Sequence, residues 1–396
     1  MTGMSAPRSL YVHVPFCAHR CGYCDFVTTS RSPELHERYV AALRRELDLH
    51  GAGPDGGYDT VFVGGGTPTL LEAPAMEAML EWIGELAAPG AEVTIECNPE
   101  TVDAALARRL VDGSVSRVSL GAQSFSPHVL ATLERRASPD TVRSAVAILR
   151  DAGIARLSLD LIWGVPGQDL DDVARDLDAA LALEPDHLSA YELELKPGTR
   201  LAHRFGTDPA VAVGEGADDL YDLVIDRVQD AGWWWYETAN FARDEHERCR
   251  HNLAYWTAAG WRAVGVGAVG MSVDPDDADA FVRRANLPNV PRWLDAVERG
   301  ELPPARLEQI ASHAARSERV MLAMRLDGPV RITAADILDG IVDAAGLERV
   351  VELGLGDARP LIDADGVMRG DVELRLGRRG RMLQGSVGAL LLDPEA

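Results

Sequence analysis

Short runs of β-branched and aliphatic residues alternate with longer amphipathic stretches over the first two-thirds of the chain. Ser9–Val14, Thr60–Gly64, Glu92–Glu96, Arg117–Gly121, Leu157–Ile162 and His187–Leu193 predict strands. Such short runs suit parallel strands buried on both faces. The spacing of apolar residues predicts helices between them, over Pro33–His50, Pro74–Ala88, Val102–Val111, Asp140–Ala152 and Leu170–Leu183. Ser32-Pro33 and Ser138-Pro139 supply helix-start signals. Repeated βα units predict an α/β fold with a parallel sheet and right-handed crossovers. So many units favour a full or partial barrel, with an open doubly wound sheet as the alternative.

The pattern then changes. Pro197–Gly214 predicts a loop and Glu215–Ala231 a helix. The aromatic run Trp233–Tyr236 predicts a strand that buries rings on both faces, and Asp274–Asp279 an acidic turn. Pro303-Pro304, within Gly300–Arg306, predicts a boundary dividing the chain into 1–300 and 301–396. Beyond it the pattern predicts a helix from Glu308 to Arg325 and helices within Thr333–Val351. Strands at Pro360–Arg369 and Val372–Leu376 follow. Helices followed by a β-wing describe a smaller winged-helix-like domain.

Composition narrows the possible partners. The chain has 396 residues, 46% hydrophobic and 26% charged, which excludes a mostly disordered protein. Its net charge of −23 opposes a nucleic-acid partner, because phosphate binding needs a basic field. The arginines at 369, 375, 378, 379 and 381 therefore read as a solvated hairpin. No apolar run approaches the roughly 18 residues of a membrane span, so membrane contact is at most peripheral. Met1–Ser9 lacks an apolar signal core, and a cytoplasmic location is expected.

Three of the five cysteines fall together, as Cys17, Cys21 and Cys24 in a CxxxCxxC run after the first strand. Cys97 and Cys249 stand apart, and Cys97 reads as a small buried residue. An odd number of cysteines in an unexported chain is a poor disulfide framework. Structural zinc takes four ligands, which here would need His13 or His19 beside the thiols. A [4Fe–4S] cluster also prefers four thiolates. Held by three, it leaves one iron open to a small molecule. Gly22 lets the loop fold tightly.

This spacing resembles that of the radical S-adenosylmethionine (SAM) superfamily. The resemblance implies that the open iron binds the amino and carboxylate groups of SAM. Reduction then cleaves SAM to a 5′-deoxyadenosyl radical. The rest of the barrel pattern agrees. Gly64-Gly65-Gly66-Thr67-Pro68 follows strand two, Glu96-Cys97-Asn98-Pro99 ends strand three, and Gln123 and Asp160 sit at the ends of strands four and five. Barrel chemistry gathers at that face. Glu96 or Asp160 would suit ribose hydroxyls, and Arg135 a bidentate carboxylate contact.

The motifs YxHxPFCxxxCxYCDF, GGGTPT, ECNP, SLGAQSF, LDLIWGVPGQ and YETANFA recur in this order in the oxygen-independent coproporphyrinogen oxidase-like family, which the chain resembles from about Ser9 to Val330. The resemblance implies a partial (β/α)6 radical SAM barrel with a C-terminal domain, and a cluster on Cys17, Cys21 and Cys24. It implies SAM contacts at Tyr11, Tyr23, Gly65, Gly66, Thr67, Glu96, Gln123, Arg135 and Asp160. True coproporphyrinogen dehydrogenases carry a further cysteine where this chain has Phe26. The CxYCDF ending and His251-Asn252-Leu-Ala-Tyr255-Trp256 resemble the family's haem-chaperone branch. That branch implies haem as cargo and an acceptor haemoprotein such as a respiratory one. It also implies a small electron donor such as flavodoxin or ferredoxin. His251, Tyr255 and Trp256 are its candidate haem contacts, with Cys249 a weaker thiolate candidate. A helix-capping and packing role for the motif is the alternative. Ala137 and Met271 stand where relatives usually have histidine; Met271 offers a sulfur or, more simply, a buried side chain. The competing activities are oxidative decarboxylation of porphyrinogen propionates and radical chemistry on another substrate.

Overall fold

The computed structural model describes residues 7–30, 32–207, 216–362 and 368–392. Six parallel strands form its centre: β1 (Ser9–Val14), β2 (Tyr58–Gly65), β3 (Ala87–Cys97), β4 (Arg117–Gln123), β5 (Arg156–Trp163) and β6 (His187–Glu192). Five crossover helices join them: α1 (Pro33–Leu49), α2 (Ala73–Leu86), α3 (Ala104–Asp112), α4 (Pro139–Ala152) and α5 (Leu170–Leu181). The predicted strands and helices lie inside or within a few residues of these bounds.

Local sequence explains the boundaries. Ser138 caps α4 by accepting from the Thr141 N–H, Pro139 opens the helix, and Gly153 ends it in the left-handed conformation. Asp169 and Asp172 form a reciprocal capping box on α5. Leu10, Val12 and Val14 of β1 are fully buried, as are Tyr39 and Leu43 of α1. Each such apolar side chain is worth roughly 1.5–3 kcal/mol of burial.

The sheet is a partial barrel. Two antiparallel strands, β7 (Trp234–Glu237) and β8 (Asn240–Ala242), extend it past β6. A further parallel strand, β9 (Arg262–Val264), lies on the other side of β1. The β7 edge is covered by the C-terminal domain: Thr238 N donates to Arg325 O and Asp327 N to Tyr236 O. Covering blunts an exposed edge. Trp235 and Tyr236 are buried as predicted, but Trp234 is 45% exposed with the Arg248 guanidinium over its ring.

The later part of the chain departs from the sequence pattern. The predicted loop Pro197–Gly214 contains a helix, Arg200–Phe205, capped by Thr199; residues 208–214 lie outside the described residues. Glu308–Ile310 is not helical. It ends the strand β12 (Ala305–Ile310), which completes a three-stranded antiparallel sheet with β10 (Val269–Val273) and β11 (Phe281–Asn286). Pairing with β11 overrides helix propensity there, and the helix begins at Ser312. The sheet spans the expected 300/301 boundary.

The C-terminal elements run helix (Ser312–Ala323), strand (Val330–Ile332), two helices (Ala334–Leu338 and Ala344–Glu352) and two strands (Gly356–Ile362 and Met368–Leu376). Their order is winged-helix-like; the turn at 363–367 lies outside the described residues. The arginine run is not one solvated hairpin. Arg378 starts a short helix and pairs with Asp222 and Asp226, whereas Arg381 is buried with its guanidinium 3.7 Å from the Trp235 ring centroid. The Arg369 side chain lies outside the described residues.

Candidate functional site

The ends of β2 to β6 and the cysteine loop enclose one cavity of about 500 Å³. The loop is closed on itself by parallel pairing of Phe16–Cys17 with Thr29–Ser30. Gly22 anchors it: its N–H donates to Leu133 O, and its carbonyl accepts from Leu201 N. A Cβ on Gly22 would stand 2.3 Å from Leu201 Cδ1, so close approach is what requires glycine there. Cys17, Cys21 and Cys24 are unpaired, half-buried and on the cavity wall. Phe26 lines its rim, 57% exposed.

Arg135 ties the loop to the strand ends. Its Nη1 donates to Cys21 Sγ at 3.5 Å, and its Nη2 to Asn98 Oδ1 and Gly121 O, both at 2.9 Å. Asn98 Nδ2 donates to Thr67 Oγ1 at 2.9 Å, and that hydroxyl lies 3.8 Å from Cys17 Sγ. Gly65, at φ +109°, turns its N–H toward Glu96 Oε2 at 2.9 Å. Deeper in, Ser119 Oγ donates to both Asp160 carboxylate oxygens at 3.0 Å.

Burial sets the electrostatics of this wall. It pushes Glu96 up to about 7 against the Gly65 hydrogen bond, and nearby Asp160 adds to the rise. Asp160 is raised for the same first reason. Burial also pushes the Cys17 thiol up to about 11 and raises Cys24, so metal binding must displace these protons.

The donor set fits an iron–sulfur cluster. Three thiols converge from one side of a cavity whose other walls offer polar groups for a small molecule. The zinc alternative finds no ligand in His13, whose ring nitrogens bond with Tyr11 OH at 3.0 Å and Val27 O at 2.8 Å. His19 does line the cavity. Among the described residues no three His, Cys, Asp or Glu side chains close on a single ion.

The Radical SAM superfamily profile matches residues 11–180. Heme chaperone HemW of Mycobacterium tuberculosis is 38% identical over 378 residues, covering 90% of this chain and 93% of that relative. The chain belongs to the HemW family. Heme chaperone HemW of Escherichia coli is 37% identical over 278 residues, covering 68% of this chain and 71% of the relative. The solved structure of coproporphyrinogen III oxidase (HemN) from Escherichia coli superposes with a TM-score of 0.78 at 21% identity. That match covers 98% of this chain and 90% of that chain, and shows a shared fold.

The structure does not bring His251, Tyr255 or Trp256, the candidate haem contacts of this HemW-family chain, to the cavity as expected. They form the helix α6 (Arg250–Trp256), whose first N–H groups, from Arg250 and His251, donate to Glu92 at 3.0 Å. His251 is buried. Its Nδ1 bonds with Thr60 Oγ1 and its Nε2 with Tyr255 OH, each at 2.8 Å, and its ring stacks on Phe62. Both ring nitrogens are thus engaged inside the protein, which does not fit an imidazole offered to a porphyrin. Tyr255 packs edge-on against Trp261, and Trp256 lies under Arg325. Packing thus holds His251, Tyr255 and Trp256 within the protein.

Tyr11 also stands behind the wall, its hydroxyl on His13 and its ring on Phe62. Met271 is buried with Phe281 and Ile310, and Ala137 is buried. Cys249 does line the cavity; its Sγ donates to Glu92 at 3.6 Å, and burial pushes it up to about 12. Tyr23, Gly66 and Gln123 lie on the wall with the residues above. Sequence reasoning missed Arg117, Asn98, Ser119, Ser189 and Asn252, which line it too. The two-residue period of β4 held a signal, since Arg117, Ser119, Gly121 and Gln123 all face the cavity.

Proposed function

We propose that this chain is a radical SAM haem chaperone. In this reading it holds a [4Fe–4S] cluster on Cys17, Cys21 and Cys24, binds SAM in the cavity beside it, and passes haem to an acceptor haemoprotein. The observation that carries the reading is one cavity walled by three unpaired thiols on one side and by Glu96, Asp160 and Arg135 on the others. When bound and reduced by a small electron-transfer protein such as a flavodoxin or ferredoxin, the cluster supplies one-electron reduction of SAM. The chain's residues orient that ligand. Arg135 offers a guanidinium to the SAM carboxylate, Glu96 a carboxylate to its ammonium, and Asp160 an acceptor to ribose hydroxyls. Gly65, Gly66 and Thr67 let backbone approach it, while Tyr23 and Gln123 close the sides. Haem as cargo comes from family membership and from Phe26, which replaces the further cysteine of the decarboxylases.

Anaerobic reconstitution followed by paired assays tests this. Hemin is expected to bind, and coproporphyrinogen III to remain unconverted. Efficient formation of protoporphyrinogen would overturn the chaperone reading.

Glu96 gives a second expected outcome. Burial pushes its carboxyl up to about 7, so its negative charge is lost as pH falls through that value. SAM affinity should weaken up to about tenfold between pH 8 and 6, and Glu96→Gln should flatten the profile. A flat wild-type profile would remove Glu96 as the ammonium partner.

A further inference from the structure

The deep end of the barrel cavity holds two polar side chains that the proposed SAM contacts leave idle. Arg117 opens β4, is 3% exposed and lines the cavity. Its Nε is buried without a partner, and among the described residues its guanidinium forms no hydrogen bond or salt bridge. Two carboxylates lie nearby, both committed elsewhere. Glu92 takes the N–H groups of Arg250 and His251, and Asp160 takes Ser119. Their negative charge offsets that of the guanidinium, but neither accepts a hydrogen bond from it, so its buried donors still lack an acceptor.

Asn252 lines the same cavity, and its carboxamide forms no hydrogen bond among the described residues. It is held rigidly: Glu92 pins the start of α6, and His251 is locked between Thr60 and Tyr255. The HNxxYW motif therefore brings its asparagine, not its histidine, to the cavity. Arg117 lies four residues before Gly121, where Arg135 is anchored, or about 13 Å along the strand at ~3.3 Å per residue. The two arginines thus serve different ends of the cavity.

We propose that Arg117 and Asn252 form a carboxylate-binding subsite at the barrel floor. The guanidinium fork suits two parallel hydrogen bonds to one carboxylate, and the amide NH₂ adds a third donor. Glu96, Asp160 and Glu192 share the cavity and repel a dianion such as phosphate, which favours a monoanion. The carboxylate is a porphyrin propionate arm or a small free carboxylate. Only the first source rests on the haem-handling reading.

The test uses the full chain with reconstituted cluster. Hemin and hemin dimethyl ester are titrated into wild type, Arg117→Gln and Asn252→Ala. Wild type should bind hemin roughly ten- to hundredfold tighter than the ester, and each variant should shrink that gap to about twofold. In a second arm, millimolar sodium propionate is added during thermal melts. If hemin and ester bind equally but propionate raises the melting temperature of wild type and not of Asn252→Ala, the subsite stands with a free carboxylate as its ligand. Equal binding with no propionate effect overturns it. Failure of wild type to bind either porphyrin counts against the haem-handling reading, and the propionate arm still decides the subsite. Should Arg117→Gln not fold, Asn252→Ala decides alone, since its side chain holds no other part of the protein.

Discussion

Cys21→Ala is expected to abolish the visible absorbance of the reconstituted protein and to take its iron and sulfide from about four per chain to near none. Cys17→Ala and Cys24→Ala should do the same. Three thiolates are the whole protein contribution in this reading, so losing one leaves two corners of the cluster without a ligand. The other cavity thiols are poorly placed to substitute. Cys97 is buried at the end of β3, and Cys249 sits on Glu92 at the floor. Cys249→Ala should therefore keep its iron. The fold should survive the loop substitutions, because the loop is held by backbone pairing at Phe16–Cys17 and by Gly22, not by the thiols. Unchanged far-ultraviolet circular dichroism beside lost iron is the expected pair of readings. Normal iron and sulfide in any of the three loop variants would remove that cysteine from the ligand set.

The parallel part of the fold was legible because its signals are local. β1 was read to the residue from Ser9 to Val14, and Ser138-Pro139 marked a real cap. The small sheet was not legible, because β12 gains its conformation from β11 and not from its own exposed residues, such as Leu307. Arg381 was misread for a related reason: a guanidinium stacked on Trp235 depends on a partner 146 positions away in sequence. In the site, Cys17 and Gly65 could be placed from motif spacing. The facing of a side chain could not. Tyr11 belongs to the same strand as the cavity-facing loop, yet its hydroxyl goes to His13. In α6 a single step of the helix separates an engaged His251 from a cavity-lining Asn252. Spacing named the motif, and only packing decided which of its members lines the cavity.

That division predicts the behaviour of His251→Ala. The substitution removes hydrogen bonds to Thr60 and Tyr255 and the stack on Phe62, and leaves two hydroxyls unpaired in the interior. At about 1 kcal/mol for each bond, with a further penalty for the stranded groups, the loss should reach about 3 kcal/mol. A chain of 396 residues should then melt roughly 3–5 °C lower. The pH dependence identifies the cause. Burial pulls the His251 imidazole down to about 3, from an ordinary 6.5 that the unfolded chain recovers. Between those values the unfolded state binds the extra proton. Wild type therefore loses stability as pH falls from 6.5 toward 3, by up to about 1.4 kcal/mol per unit from this group. His251→Gln lacks that term, so the gap between wild type and variant should narrow on acidification. Hemin affinity and spectrum should stay within about twofold of wild type in the folded variants, because neither ring nitrogen was free to bind iron. A variant with normal melting but an altered hemin spectrum would reverse the assignment and make His251 the iron ligand.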